Sequence, residues 1–303
     1  MGNGGDRMNP LEIAVVSGKG GTGKTTVSSA LAAALKGDCV LCDADVDVPD
    51  LWILLRPRIL EREDFMGQEK AEMRHHLCEG CGRCAAACRF DAIWLEDGEV
   101  RLDRRRCEGC GACAVVCPTG AISLSPSIQG DVFRSETDLG PFWHARLHPG
   151  GENSGRLVQL LRDRARKTGR ELGKRWVLVD GPPGVACPAA SAITGCQLAL
   201  AVTEPSRSGL HDLRRLGELA SRLRVPMAVV LNRSDLSEEG AQALRRACDE
   251  MGWPLLAEIP FDQEIARDLA MARIPSAPLA KAIQAIKEGM EDLLGEDAVE
   301  EGE

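Results

Sequence analysis

The sequence predicts an α/β protein: a mostly parallel, twisted sheet with helices on both faces, interrupted once by a small cysteine-rich module. Two observations predict it. Short apolar runs alternate with helical stretches through most of the 303 residues, the βα pattern of a parallel sheet. Between Arg56 and Pro126 the alternation stops, cysteine, glycine and arginine crowd together, and one cysteine frame occurs twice, as in a duplicated two-fold module. The division expected is residues 1–57 and 127–295 for the two parts of the α/β domain, 58–126 for the insertion and 296–303 for an acidic tail.

In chain order, Leu11–Val16 is a strand running into a glycine-rich turn, Lys24–Leu35 a helix and Cys39–Cys42 a second buried strand. After the insertion, Leu157–Lys167 reads as a helix and Trp176–Asp180 and Leu198–Thr203 as strands. A helix over Leu210–Leu223, a strand at Met227–Leu231, a helix over Glu239–Met251, a strand at Leu255–Ile259 and a helix over Leu279–Leu294 complete the pattern. The stretch Ser127–Ser154, broken by glycine and proline, receives no element. The tail from Glu296 is expected to be disordered.

A net charge of −9 argues against a surface built for nucleic-acid phosphates or anionic lipid. No apolar run approaches the roughly 20 residues that span a bilayer. Met1–Pro10 lacks the apolar region of a secretory signal, and Asp6 stands where a myristoylation motif needs Ser or Thr, so a cytoplasmic protein is expected. In a reducing compartment thirteen cysteines point to metal ligation rather than disulfides.

Gly18-Lys19-Gly20-Gly21-Thr22-Gly23-Lys24-Thr25-Thr26 follows a strand and opens a helix, the context a phosphate-binding P-loop requires. The glycines let backbone N–H groups approach the phosphates of ATP, and the helix N-terminus adds its positive dipole end. Lys24 is expected on the β- and γ-phosphates and the Thr25 hydroxyl on Mg²⁺.

Cys78-x₂-Cys81-x₂-Cys84-x₃-Cys88 and Cys107-x₂-Cys110-x₂-Cys113-x₃-Cys117-Pro118 both fit the bacterial ferredoxin run. The fourth cysteine of each such run serves the other cluster. Two [4Fe–4S] clusters are therefore expected, one on Cys78, Cys81, Cys84 and Cys117, the other on Cys107, Cys110, Cys113 and Cys88. Zinc also uses Cys-x₂-Cys pairs, but two complete frames with a repeated Ala-Ile strand favour clusters. Arg89 stands where the pattern has proline, which either raises the potential of the second cluster or only alters the turn.

With Lys19 added, the glycine-rich segment resembles the deviant Walker A motif of the MinD, ParA, Mrp and nitrogenase iron protein family. The resemblance implies that Lys19 reaches across a dimer interface to the partner's nucleotide. It also implies that Asp45 orients the attacking water, that Asp43 and Asp180 order Mg²⁺ at two switches, and that Asn232 recognises adenine. Over nearly the whole chain the order of motifs resembles the CobQ/CobB/MinD/ParA-type ATPases with an inserted ferredoxin. That likeness implies a homodimer, or a heterodimer with a paralogous ATPase, acting on a redox or metal–sulfur-cluster partner.

Cys39, Cys42, Cys196 and Cys248 read as core residues. Cys187, seven residues beyond Asp180, is left between core packing and a further metal or partner-cluster site, by likeness to the nitrogenase iron protein. Three activities remain open: ATP-gated electron transfer, ATP-dependent handling of a metal–sulfur cofactor, and ParA/MinD-like positioning. The four thiolates per cluster favour the first, because a closed cubane is not easily given away.

Overall fold

The computed structural model describes residues 9–151 and 154–300, with side chains to Gly295. The readings of Met1–Met8 and of the last three residues lie outside the described residues. The chain divides into two compact units, residues 1–63, 132–146 and 154–303 forming the larger and 64–131 with 147–153 the smaller.

The larger unit begins with β1 (Leu11–Ser17), α1 (Lys24–Ala34), β2 (Cys39–Asp43), α2 (Leu51–Leu55) and β3 (Arg58–Met66). The smaller unit follows, with β4 (Lys70–Met73), α3 (Arg83–Ala87), β5 (Ile93–Glu96), β6 (Glu99–Leu102), α4 (Ala112–Val115) and β7 (Ile122–Ser125). Then come β8 (Ile128–Thr137), β9 (Gly140–Leu147), α5 (Ser154–Leu172), β10 (Trp176–Pro183), α6 (Cys187–Ile193), β11 (Leu198–Thr203) and α7 (Arg207–Arg222). The chain closes with β12 (Met227–Asn232), α8 (Glu238–Met251), β13 (Leu255–Ile259), α9 (Gln263–Ala270) and α10 (Ser276–Glu300).

Nine strands form one sheet in the order β13-β12-β11-β1-β10-β2-β9-β8-β3. From β13 to β9 every neighbour pair is parallel. Alternation sorts the side chains to two faces. On β11, Leu198, Leu200 and Val202 join α1 and α10 through Leu31, Leu279, Ile283 and Ile286. Ala199 and Ala201 face α7 and α8 through Leu213, Leu216 and Leu244. Both faces are covered, which is why these strands read as continuous apolar runs. Each fully buried leucine here contributes roughly 1.5–3 kcal/mol.

Three sequence expectations change. The unassigned stretch after Ser127 contains two long strands, β8 and β9, joined at Asp138-Leu139. There the Thr137 hydroxyl donates to the Gly140 carbonyl and accepts from the Leu139 and Gly140 N–H groups. Second, β3 was placed inside the insertion, yet the boundary falls at Asp64, so most of this strand belongs with the sheet. Third, α10 continues to Glu300 through the segment expected to be disordered. α6 and α9, too short for a clear helical period, had been overlooked.

In the smaller unit two antiparallel ladders, β4 with β7 and β5 with β6, enclose a core of Ala71, Ala92, Ile93, Val100 and Ile122 together with Cys84, Cys107 and Cys113. The duplication is visible in the backbone: Gly80 and Gly82 before α3, and Gly109 and Gly111 before α4, all have positive φ. Side chains at these four positions would be strained, so the tight turns that carry Cys81 and Cys110 need glycine.

Candidate functional site

β1, β10 and β2 end side by side, so parallel pairing alone delivers the P-loop, Asp180 and Asp43 to one edge of the sheet. Asp180 is in register with both Val15 and Asp43. Open ends of parallel strands are the usual ligand crevice of such sheets. A cavity of about 630 Å³ lies there, lined by Ser17, Gly20–Gly21, Gly23–Thr26, Asp45, Asp47, Val48, Asp50, Pro182, Pro183, Ala186, Pro188 and Arg233.

Lys24, at the first turn of α1, is buried and ion-paired to Asp180 at 2.9 Å and to Asp45 at 3.7 Å. Asp180 also accepts from the hydroxyls of Thr25 at 2.9 Å and Ser28 at 2.7 Å. Ser28, one helical turn beyond Lys24, was not foreseen, although its i+4 position was readable. Asp43 is fully buried and accepts from the Asp45 and Leu51 N–H groups.

One cation therefore faces three carboxylates. Burial pushes Asp43 well up, and the neighbouring Asp180 pushes it the same way. Burial also raises Asp45, to about 6, with Lys24 opposing and Asp180 reinforcing. Burial pulls Lys24 down, but Asp180, Asp45 and Asp43 outweigh it and the net shift is upward. A buried excess of carboxylate beside a hydroxyl is the kind of surrounding that suits a divalent cation.

Lys19 and Asn232 are each held by contacts within the chain. The Lys19 ammonium donates to Glu204 at 2.7 Å and to the Ser208 hydroxyl at 2.9 Å, so within this chain it is held in cis. Glu204 also binds Arg233 at 3.0 Å, and these two cations outweigh burial to hold its carboxyl below the usual range. Asn232 donates to the Thr22 carbonyl at 2.7 Å and packs over Gly23, where a Cβ would come within 2.1 Å of its amide. Arg233, rather than Asn232, lines the cavity. Glu204 and Arg233 escaped the sequence reading, though both stand at strand ends facing the crevice.

In the smaller unit Cys78, Cys81, Cys84 and Cys117 line one small cavity, and Cys88, Cys107, Cys110 and Cys113 line another. None of these cysteines is disulfide-bonded. The Gly80 N–H points at the Cys78 sulfur at 3.5 Å, while Cys107 receives the Ala71 and Gly109 N–H groups at 3.3 and 3.4 Å. Burial pushes the Cys84 and Cys113 thiols up. Among the described residues no three His, Cys, Asp or Glu side chains are grouped so as to hold a single metal ion.

Cys39, Cys42, Cys196 and Cys248 are buried as expected. Cys187 is exposed at the start of α6, which removes the packing reading for it, and among the described residues no group that could hold a metal ion includes it. No helix among the described residues is long and apolar enough to cross a membrane.

The sequence profile of the CobQ/CobB/MinD/ParA nucleotide binding domain matches residues 13–273. An uncharacterised protein of Methanocaldococcus jannaschii, MJ0578, is 30% identical over 93% of this chain and 96% of its own length. A second uncharacterised protein of that organism, MJ0579, is 26% identical over 75% of this chain and 81% of its own. The septum site-determining protein MinD of Pyrococcus horikoshii, solved with Mg-ADP, superposes with a TM-score of 0.57 at 21% identity, over 94% of this chain and 98% of that one.

Proposed function

The chain belongs to the CobQ/CobB/MinD/ParA nucleotide-binding family and is a P-loop ATPase of the MinD/ParA type; from that premise we propose an ATP-gated dimer whose inserted unit carries two [4Fe–4S] clusters. The observation that carries the proposal is the pair of cysteine-lined cavities, each completed by the fourth cysteine of the other run.

The chain's own residues supply the nucleotide chemistry. Lys24 leaves Asp180 and Asp45 for the phosphates, and the P-loop N–H groups donate to the anionic oxygens. Thr25, Asp43 and Asp180 would hold Mg²⁺, which would offset the phosphate charge, and Asp45, released from Lys24, would orient the attacking water. Lys19 gives up Glu204 to reach the partner's nucleotide, where a fixed positive charge lowers the barrier. Asp43 and Asp45 lead along the chain through α2 and β3 into the smaller unit, so rearrangement around the γ-phosphate has a covalent route to it.

Eight sulfurs in two sets of four, with N–H groups aimed at Cys78 and Cys107, suit two cubanes, in which each thiolate would serve its own iron. Such clusters, when bound, supply one-electron redox chemistry. The likeness to MinD favours a second reading, a positioning ATPase in which the small unit is a structural or recognition element.

Anaerobic purification with iron and sulfide analysis separates the two readings. The proposal expects about eight iron atoms per chain. It also expects an EPR spectrum or reduction potential that changes on adding Mg-ATP, and that stays unchanged in Lys24→Ala, whose hydrolysis falls by about 10²–10³. An iron-free chain with full ATPase activity leaves the positioning reading standing.

A further inference from the structure

The backbone of Asp180 is fixed by the sheet, but its carboxylate is set by one helix. β10 lies between β1 and β2, with Asp180 in register with Val15 on one side and Asp43 on the other, and its carbonyl accepts from the Ala44 N–H at 2.8 Å. The strand therefore decides where the residue stands and leaves its side-chain torsions free. Three donors on α1 settle those. Lys24 and Ser28 reach Oδ1 at 2.9 and 2.7 Å, and Thr25 reaches Oδ2 at 2.9 Å. The spacings i, i+4 and i, i+3 put all three on one face of the helix.

Two of these donors have other partners in the proposed cycle, Lys24 the phosphates and Thr25 the metal. Ser28 has none, because it is fully buried and does not line the crevice. Its hydroxyl therefore stays on Oδ1 when Lys24 leaves. Asp180 is itself buried, so the departure of Lys24 takes away its counter-charge before a metal replaces it. A buried carboxylate stays charged only where hydrogen bonds to its oxygens stand in for water. Ser29 shows what a serine at this depth does otherwise. Equally buried, it donates to the Thr26 carbonyl at 2.9 Å on its own helix, the usual local bond of a helical serine. Ser28 instead crosses to a residue 152 positions away.

We infer that Ser28 is a positioning residue for the divalent cation: it holds Oδ1 of Asp180 through the exchange of Lys24 for metal and so keeps Oδ2 on the side of Thr25. The inference rests on the proposed assignment of Lys24, Thr25 and Asp180 to ATP and Mg²⁺, and deepens it. Ser28 touches neither ligand and acts through Asp180. Its loss should therefore be felt in metal affinity and not in the grip of the P-loop on phosphate, which belongs to Lys24 and the loop N–H groups. A hydroxyl that only fills the core would show the opposite pattern, a change in stability with no preference for the metal.

The test uses the full chain with AMPPNP and Mn²⁺ as the probe metal, unbound Mn²⁺ being counted by EPR. Ser28→Ala should weaken Mn²⁺ binding to the nucleotide complex about tenfold, the size of one lost hydrogen bond to a charged group. Free Mg²⁺ for half-maximal ATP hydrolysis should rise by the same factor, while ATP affinity in EDTA stays within about twofold. Ser28→Cys, nearly the same shape with a weaker donor, should lose about threefold in metal affinity and covers the case in which the alanine variant folds poorly. Ser29→Ala, with its local bond, should alter neither quantity. Mn²⁺ affinity equal to that of the unaltered chain in both Ser28 variants would overturn the inference. So would an equal loss of ATP affinity in EDTA, which would make Ser28 part of the phosphate grip. An unaltered chain that binds AMPPNP but no Mn²⁺ removes the metal assignment itself, and the role of Ser28 with it.

Discussion

In the larger unit the buried core and the functional residues are separate sets, whereas in the smaller unit they overlap. The crevice groups Lys24, Asp43, Asp45 and Asp180 stand at strand ends, above two apolar layers that hold without them. The smaller unit's core consists of five small or medium apolar residues plus Cys84, Cys107 and Cys113, three of the eight frame cysteines. For the larger unit a ligand is something to bind. For the smaller unit, whose apolar core is slight for its length, the proposed clusters would be part of the fold.

The sharpest way to break that contrast is to remove what the cysteines hold. Anaerobic chelation of iron, or Cys107→Ala with Cys84→Ala, should abolish amide protection across residues 70–125 while β1 and β11 stay protected and nucleotide still binds. Structural metal sites supply on the order of 10 kcal/mol of folding free energy in small domains, more than this core can replace. Hydrogen exchange with mass spectrometry reads both units in one experiment. Retained protection in the cysteine-rich segment after iron removal would show a core that stands by itself and erase the contrast.

A second, smaller effect tests the larger unit's independence from its ligand. Glu12 and Arg162 form a bidentate pair, fully buried, at 2.7 and 2.9 Å, and Arg162 also donates to the Ser191 and Thr194 carbonyls. Glu12→Ala leaves a buried guanidinium without its counter-charge and should cost about 3–5 kcal/mol. Saturating Mg-ATP should shift mutant and parent stability alike, because the pair touches no crevice residue. A nucleotide-dependent difference in that cost, measured by denaturant titration, would tie the pair to the site.

The two units also differ in how openly the sequence announces them. The P-loop was legible because glycine must admit phosphate, and the repeated cysteine spacing was legible as two sets of four that the fold does gather, each lining one cavity. The parallel strands were legible because burial on both faces leaves unbroken apolar runs, so Leu198–Thr203 and Leu255–Ile259 matched residue for residue. β8 and β9 were hidden because Gly130, Gly140 and Pro141 interrupt them and their polar residues are satisfied only by tertiary partners. Ser135 and His144, for instance, bind each other across the two strands. The cis ion pair of Lys19 was hidden for a different reason. Glu204 lies 185 positions away, and only the adjacency of β11 to β1 brings them together.

His144 offers the finest test of that hidden region. It is 7% exposed, stacked between Phe133 and Phe142 at centroid distances of 4.9 and 4.6 Å, and bonded to the Ser135 hydroxyl. Burial, with a smaller push from Arg146, lowers it to about 4. A base whose folded value lies below its unfolded value of about 6.5 contributes stability above that pH and loses it as pH falls toward 4. The larger unit should therefore lose about 3 kcal/mol between pH 6.5 and 4 through this residue alone. His144→Phe keeps the stack and removes the proton, so its stability curve should be flatter over that interval whatever its absolute level. An unchanged slope would mean that the ring takes up its proton without leaving the sheet, and that β8 and β9 are looser than the strands that carry the nucleotide crevice.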